Sequence, residues 1–202
     1  HEAQGRTVTM LASSIQVLAI FAVADTIKES SRQAIAELHT LGVASVMLTG
    51  DNFATALAIA KQAGIDDARG NLLPEDKLAA IEELQKQYGY VAMTGDGIND
   101  APALARSNIG FAMGGAGTDT AMEAADVVIM NDDLRRIPEA IRLSRKTQAI
   151  LWQNIAMALG IKSVFLVAAI AGDASMWMAV FADMGASLLV VFNGLRLLRV
   201  RI

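Results

Sequence analysis

The sequence predicts an α/β domain built on a parallel β-sheet, followed by a transmembrane α-helical hairpin. Short apolar runs alternate with amphipathic segments over the first three quarters of the chain, which is the pattern of strands joined by crossover helices. Hydrophobic residues make up 53% of the 202 residues, and the excess lies in two later runs, each long enough to cross a bilayer. These observations favour one soluble part and one membrane part.

The chain opens with a predicted β-hairpin. The segments 7–12 and 16–23 flank a turn at Ser13-Ser14, and both are rich in residues that favour strands. We expect this hairpin to feed the parallel sheet, or to be the last piece of an upstream domain. We therefore assign residues 1–23 to a segment of their own and not to the main domain.

Five short apolar runs are candidate strands, because runs without alternation suit strands that are buried on both faces. They lie at residues 17–23, 45–48, 91–93, 109–113 and 126–130. Apolar residues at helical spacing predict helices over 28–41 and 74–87,. Residues 24–147 are thus predicted to form one α/β domain.

Residues 148–202 are predicted to form the membrane part, with spans at about 150–171 and 175–197,. Basic residues flank the outer ends of the two spans and are missing from the link between them, so the positive-inside rule places both ends in the cytoplasm,. We expect an integral protein of the cytoplasmic membrane in contact with the lipid bilayer. The alternative is a buried helical hairpin in a soluble core.

Charge and cysteine content exclude several classes of protein. The formal net charge is −4, of which the first 148 residues contribute −6 and the rest +2. This balance excludes a strongly basic nucleic-acid binder, so we expect no nucleic-acid partner. Without cysteine, the chain has no disulfide framework and no thiolate metal site.

Two matching tripeptides follow predicted strands: Thr49-Gly50-Asp51 and Thr94-Gly95-Asp96. Ligands of parallel α/β sheets bind where the strands end at their carboxyl edge. Glycine lets the backbone approach a phosphate, and threonine supplies a hydroxyl and an amide. Each tripeptide alone also suits an ordinary turn at a strand end.

Two further features point to the same chemistry. Asp100 follows Asp96 by four residues, and carboxylates so close together are costly unless a cation neutralises them, for which Mg²⁺ is the natural candidate. Pro74 begins a helix that would aim the Lys77 ammonium at the same crevice,. Taken together, these residues predict a Mg²⁺-dependent phosphoryl-transfer crevice.

These motifs resemble those of a known family. Thr49-Gly-Asp-Asn52 and the run M-T-G-D-G-I-N-D-A-P-A-L at residues 93–104 are similar to the phosphorylation-domain motifs of P-type ATPases, which have the haloacid dehalogenase-like fold. The resemblance implies ATP as substrate, with its phosphoryl group held at Thr49 and Gly50 and neutralised by Lys77. It implies Mg²⁺ at Asp96, supported by Asn99 and Asp100. The implied catalytic residues are Thr49, Gly50, Asp51, Lys77, Asn99 and Asp100, and the implied Mg²⁺ ligands are Asp96 and Asp100.

The resemblance also has limits. The segment Asp25-Thr-Ile-Lys28 resembles the place where the chain returns from the nucleotide-binding domain, which makes residues 1–23 the end of that domain. The family's D-K-T-G-T stretch, whose Asp becomes the aspartyl phosphate, does not occur in the 202 residues. Neither does a cysteine-containing ion motif. The resemblance therefore implies the C-terminal portion of a longer pump, inactive without its missing N-terminal part.

Two charged residues lie inside the predicted spans. Charges at such depths are costly, so Lys162 and Asp183 need compensation,. They are equally distant from the hairpin midpoint between Gly172 and Asp173, so we expect them at the same depth. Either they form a salt bridge that only joins the helices, or Asp183 ligates a cation and Lys162 holds its charge when the cation leaves. We expect Asn154 and Asn193 to extend a polar path.

Family resemblance extends to the spans as well. Residues 154–162, 182–187 and 192–198 are similar to the last two spans of the branch that exports zinc, cadmium and lead. The resemblance implies Asp183 as a ligand of the transported divalent heavy-metal ion and Lys162 as its internal counter-charge. The alternatives are a membrane-anchored phosphatase of the same fold group, for which no D-x-D on a β-run is present, and a non-catalytic remnant.

Overall fold

The computed structural model describes residues 7–23, 27–96, 98–114, 119–172 and 175–199. The chain divides into two compact units, His1–Pro138 and Glu139–Ile202. Four residues used in the sequence predictions lie outside the described ranges: Asp25 and Thr26 of the returning segment, Gly97 of the second loop and Asp173 at the hairpin midpoint.

The first two strands form the predicted β-hairpin. Strand β1 (Thr7–Ala12) pairs antiparallel with β2 (Val17–Val23), and the Ser13 hydroxyl accepts a hydrogen bond from the Gln16 N–H at 3.1 Å, which closes the turn. The expectation that this hairpin feeds the parallel sheet is wrong, because within the described residues β1 and β2 pair only with each other. Large apolar side chains of the hairpin are more than half exposed, among them Met10, Ile20 and Phe21.

Parallel pairing is confirmed for the rest of the first unit, but it is divided between two sheets in the described residues. Strands β3 (Val46–Leu48) and β4 (Asp67–Arg69) form one sheet. Strands β5 (Ala92–Gly95), β6 (Ile109–Met113) and β7 (Val127–Ile129) form the other, in that order. The sequence analysis missed β4, because a three-residue strand with two charged residues has no apolar run.

Helices follow the strands as a parallel fold requires. They are α1 (Glu29–Thr40), α2 (Phe53–Ala63), α3 (Pro74–Tyr88), α4 (Ala101–Arg106) and α5 (Asp119–Ala124). The Asn52 side chain caps α2 by accepting a hydrogen bond from the Thr55 N–H at 2.8 Å,. Asp76 caps α3 by accepting from the Leu73 N–H at 2.9 Å. Each cap fixes the start of one helix, and each of these helices directly follows a loop of the candidate site.

The core of the first unit joins the two parallel sheets. Its central cluster combines residues of α3, α4, β5 and β6, namely Ile81, Met93, Ala103, Leu104 and Ala112, all with at most 8% exposure. Leu48 at the end of β3 packs against this cluster. The carboxyl ends of β3 and β5 are therefore held by the same apolar contacts.

A hydrogen-bonded cluster of His39, Ser45 and Asp66, which we call the clasp, connects α1 to the amino-terminal ends of β3 and β4. The Asp66 carboxylate accepts hydrogen bonds from the Ser45 N–H at 2.7 Å, from the Ser45 hydroxyl at 3.0 Å and from His39 Nε2 at 2.9 Å. The Ser45 N–H is the largest influence on the pKa of Asp66, and with the Ser45 hydroxyl and His39 it holds that pKa below its usual value against an opposing effect of burial,.

The clasp predicts a pH-dependent contribution to stability. A carboxyl whose pKa is depressed on folding stabilises the protein above its unfolded pKa of about 3.9, and this contribution is lost as the pH falls through the folded pKa. Because the Asp66 side chain is 48% exposed, we expect Asp66→Ala to cost less than about 1 kcal/mol at pH 7. The difference in melting temperature from the unmodified protein should shrink at acidic pH. A constant difference would contradict the prediction, and Glu123→Ala, at an exposed carboxylate of α5, is the control.

The second unit contains the predicted apolar hairpin. Helix α6 (Arg136–Ile170) has 35 residues, and α7 (Met176–Leu195) is followed by a 3₁₀ turn over Arg196–Arg199. Both helices are long and apolar enough to cross a membrane, with mean hydropathies of 1.6 and 1.7 in their most apolar windows. Those windows are 0% and 6% buried, which favours the membrane interpretation over a hairpin in a soluble core.

Candidate functional site

The first loop of the candidate site starts where β3 ends. Thr49 extends the ladder by donating its N–H to the Arg69 carbonyl at 3.0 Å, and its own carbonyl accepts from the Leu72 N–H at 3.1 Å. The Thr49 hydroxyl accepts from the Asp51 N–H at 3.1 Å and donates to the Asp51 carboxylate at 3.2 Å. Hydrogen bonds within the loop thus orient the Thr49 hydroxyl, and the Gly50 backbone remains exposed.

Gly70 closes this loop from the β4 side. A Cβ at Gly70 would lie 2.7 Å from the Phe53 Cα and 2.9 Å from the Asp51 carbonyl oxygen, so only glycine lets the end of β4 pass against the start of α2. The next residue, Asn71, has a φ of 58° and donates its N–H to that Asp51 carbonyl. Sequence analysis missed both residues, although Gly-Asn ahead of Pro74 is a turn signal.

The second part of the site is a close ion pair. Lys77, in the first turn of α3, donates from Nζ to Asp100 Oδ1 at 2.7 Å, and the two side chains are only 15% and 13% exposed. Asp100 ends a 3₁₀ turn over Ile98–Asp100 that leads into α4. Lys77 thus places one positive charge beside Asp100, in addition to the Mg²⁺ that the sequence predicts for the pair of carboxylates.

The remaining predicted residues are less constrained. Asp96 is exposed directly after β5 and lines a cleft of about 440 Å³ together with Lys28, Met113 and Asp132. Asn99 is also exposed. Within the described ranges no side-chain hydrogen bond or ion pair joins the Thr49 loop to Lys77, Asn99 or Asp100. The chain itself connects them, since the Leu72 N–H donates to the Thr49 carbonyl and the next residue, Leu73, is the N-cap of α3.

This residue set fits the demands of Mg²⁺. The ion takes one or two protein carboxylates and completes its octahedron with phosphate oxygens and water. An exposed Asp96, with Asp100 four residues further along the chain, meets that requirement. In the part of the chain that the structure describes, no group of three His, Asp or Glu side chains could enclose a metal without such additional ligands.

Gly95 keeps the second loop in place. A Cβ at this position would lie 2.6 Å from the Asp100 Cβ and 2.9 Å from Asp100 Oδ2. Gly95→Ala should displace Asp100 from Lys77 and cost about 1 to 3 kcal/mol by overpacking, which a lowered melting temperature would reveal. Gly160→Ala is the control, because nothing lies within 4 Å of a Cβ there. An unchanged melting temperature for Gly95→Ala would contradict the prediction.

The hairpin has a second pair of charges. Lys162 Nζ lies 3.5 Å from Asp183 Oδ1, and each side chain is 66% exposed. The structure thus brings together the two charges for which the sequence predicts equal depth. It also joins Asn154 and Asn193, since Asn193 Nδ2 donates to Asn154 Oδ1 at 2.9 Å.

Comparisons with known proteins agree with this geometry. A family model described as haloacid dehalogenase-like hydrolase matches residues 1–108. The chain is 52% identical over 98% of its length to a probable cadmium-transporting ATPase of Alkalihalophilus pseudofirmus, and 48% identical over 99% to the zinc/cadmium/lead-transporting P-type ATPase of Escherichia coli. It spans 28% and 27% of the lengths of these two relatives.

A solved structure is similar over both units. The crystal structure of a zinc-transporting PIB-type ATPase in the E2.Pi state is 47% identical, with a TM-score of 0.87, over 98% of this chain and 32% of that one. The shared P-type motifs, the parallel fold and the apolar hairpin all agree with these matches. The chain belongs to the haloacid dehalogenase-like hydrolases and, within them, to the heavy-metal P-type ATPases, to whose C-terminal portion it corresponds.

Proposed function

We propose that the chain is part of an ATP-driven pump that exports Zn²⁺, Cd²⁺ or Pb²⁺ across the cytoplasmic membrane through an aspartyl-phosphate intermediate. One observation carries this proposal: a single chain combines the Lys77–Asp100 pair beside a Thr-Gly-Asp loop with the Lys162–Asp183 pair in an apolar hairpin. A soluble phosphatase needs only the first of these features. The names of the relatives, which transport cadmium, zinc or lead, support the choice of ions.

In the soluble unit, the roles follow from charge and position. The Thr49 hydroxyl and the Gly50 backbone bind the phosphoryl oxygens, and Lys77 neutralises their charge. Asp96 and Asp100 hold Mg²⁺, which when bound supplies the remaining positive charge at the phosphoryl group. Asn99 supports this second loop. Each of these groups acts by position and charge, which is what phosphoryl transfer requires of a protein.

The nucleophilic Asp must come from outside these 202 residues. Among the described residues β3 is paired only with β4, and β5 only with β6, so each has one unpaired edge. A Thr-Gly-Asp tripeptide lies at the carboxyl end of each strand, directly after β3 and from Thr94 of β5 onward, and both strands contact the same core cluster. We place the strand that bears the nucleophile between these two edges, where its carboxyl end would meet both loops. The chain spans about a quarter of the relatives' length, which leaves room for such a strand.

In the hairpin, Asp183 is proposed as an ion ligand and Lys162 as its internal counter-charge. A carboxylate that loses its cation inside a membrane needs another positive charge, and the Lys162 ammonium at 3.5 Å is within reach,. Both side chains are two-thirds exposed, so we expect further parts of the pump to cover the site and to supply the other ligands. A carboxylate accepts several borderline divalent cations and does not select one.

The experiment that tests this function is phosphoenzyme formation by the native gene product, after its mass and N-terminal sequence have been determined. We expect a product several times heavier than 21.4 kDa that contains D-K-T-G-T. With ATP, Mg²⁺ and zinc, cadmium or lead, it should form an acid-stable phosphoenzyme that hydroxylamine cleaves, as expected of an acyl phosphate. Absence of this phosphoenzyme, or a native product of only 21.4 kDa that acts alone, would contradict the proposal.

A further inference from the structure

A hydrogen-bonded amide cluster joins the two helices of the hairpin away from the charged pair. Asn193 Nδ2 donates to Asn154 Oδ1 at 2.9 Å and to Gln153 Oε1 at 3.3 Å. Asn193 Oδ1 accepts from Arg196 Nη1 at 2.8 Å. We call Gln153, Asn154, Asn193 and Arg196 the amide clamp. Both hydrogens of the Asn193 amide and its oxygen are thereby engaged.

The amide clamp is more constrained than the charged pair. Asn154 and Asn193 are short side chains and are partly buried, whereas Lys162 and Asp183 are each 66% exposed, and lysine has a long flexible stem. The direct contact between two short amides therefore restrains helix rotation more tightly than the contact through the lysine stem does.

The two polar contacts belong to one antiparallel register. Lys162 lies eight residues after Asn154 on α6, and Asp183 lies ten residues before Asn193 on α7, which correspond to about 12 Å and 15 Å along the helices. At 3.6 residues per turn, the two residues of each helix are separated by about 80° around its axis. Both pairs therefore fit one helix contact, and a shift of α7 by one residue would turn Asp183 by about 100° away from Lys162.

We infer that Asn193 is a positioning residue: through the amide clamp it fixes the rotation and register of α7 against α6, and so places Asp183 opposite Lys162. The consequence for ion binding rests on the proposed function. The consequence for register does not, because it concerns only the contact between two helices. The two consequences are therefore measured separately.

Register is measured by disulfide formation between cysteines introduced at Ile161 and Ala186. Ala186 is the buried residue of α7, at 5% exposure, and Ile161 is half-buried at about the same depth of the hairpin. The 202 residues have no cysteine, and any cysteines elsewhere in the full-length protein are replaced by serine. We expect Asn193→Leu, which removes the amide and keeps a side chain of the same branching, to lower the disulfide yield severalfold. An unchanged yield would overturn the inference.

Two control variants separate the hydrogen bond from packing. Asn154→Asp keeps an acceptor for Asn193 Nδ2, and Val191→Leu alters an exposed neighbour on α7 that lies outside the clamp. Both should retain the disulfide yield of the unmodified protein. The double variant Asn154→Leu/Asn193→Leu should be no worse than Asn193→Leu alone, because Asn193→Leu already removes the only clamp contact of Asn154,. Additive losses, or equal losses in the controls, would mean that the clamp does not set the register.

Ion binding is measured in the full-length pump with its native cysteines. Asn193→Leu should raise the metal concentration for half-maximal phosphoenzyme formation from ATP by roughly tenfold, as expected for the loss of its interhelical hydrogen bonds,. Phosphorylation from inorganic phosphate should be unchanged, whereas a folding defect would lower both. A shifted register without a shifted metal dependence would overturn the positioning role. No metal stimulation in the unmodified pump would refute the proposed function and leave the disulfide result to decide the register.

Discussion

Asp183→Asn is expected to abolish metal-stimulated ATP hydrolysis by the full-length pump while phosphorylation from inorganic phosphate remains. The substitution keeps the shape of the side chain but removes the charge that faces the Lys162 ammonium at 3.5 Å. Lys162 would then lose the counter-ion that it has among the described residues, and the transported cation would lose a ligand. The Thr49 loop and the Lys77–Asp100 pair lie in the other compact unit, so their chemistry should persist.

The control for this prediction is Ser187→Ala. Ser187 lies one turn further along α7, and its hydroxyl donates to the Asp183 carbonyl at 2.9 Å, so its removal tests whether any polar change near Asp183 is harmful. We expect normal metal stimulation in this variant. Unchanged metal stimulation in Asp183→Asn would show that the charged pair only joins the two helices.

Lys77→Met is expected to lower both stability and phosphoenzyme formation. The substitution leaves the Asp100 carboxylate, at 13% exposure, without its ion-pair partner at 2.7 Å, and breaking a buried pair in this way costs about 3 to 5 kcal/mol. It also removes a positive charge from the proposed phosphoryl site, for which we expect a loss of roughly 100-fold or more in phosphoenzyme formation. Thermal unfolding and phosphorylation from ATP measure the two effects.

A double variant separates the two effects of Lys77. In Lys77→Met/Asp100→Asn this pair leaves no unpaired charge, so much of the stability should return, while phosphoenzyme formation stays low because a cation and a proposed Mg²⁺ ligand are both removed. Lys86→Met, at an exposed lysine in the last turn of α3, should change neither quantity. Recovery of phosphoenzyme formation in the double variant would mean that Lys77 acts only through folding.

The sequence predicted the elements whose signal is local. The β1–β2 hairpin, the parallel pairing of β5, β6 and β7 and the two apolar helices all follow from runs and periods that a short window contains. Strand β4 was missed, because Asp67-Ala68-Arg69 owes its pairing to β3 and has no hydrophobic pattern of its own. The described parallel strands form two sheets instead of one, which the sequence could not predict because strand neighbours depend on contacts between distant segments.

The sequence indicated which residues belong to the candidate site, but it did not indicate which of them contact each other. The repeated Thr-Gly-Asp and the membrane charges are visible in the sequence alone. That Lys77 contacts Asp100 directly depends on how α3 and the 3₁₀ turn pack on a common core. The requirement for glycine at Gly70 and Gly95 arises from atoms of Phe53 and Asp100, which no local pattern identifies.

The central claim is that phosphoryl chemistry in the first unit drives a cation past Asp183 in the second. Its most direct test is ATP-driven uptake of radioactive cadmium or zinc by inside-out vesicles that contain the full-length protein. We predict uptake that requires ATP and Mg²⁺ and that is lost in both Asp183→Asn and Lys77→Met. Uptake of the ion by Asp183→Asn at the rate of the unmodified pump, or no ATP-dependent uptake of zinc, cadmium or lead by the unmodified pump, would contradict the claim.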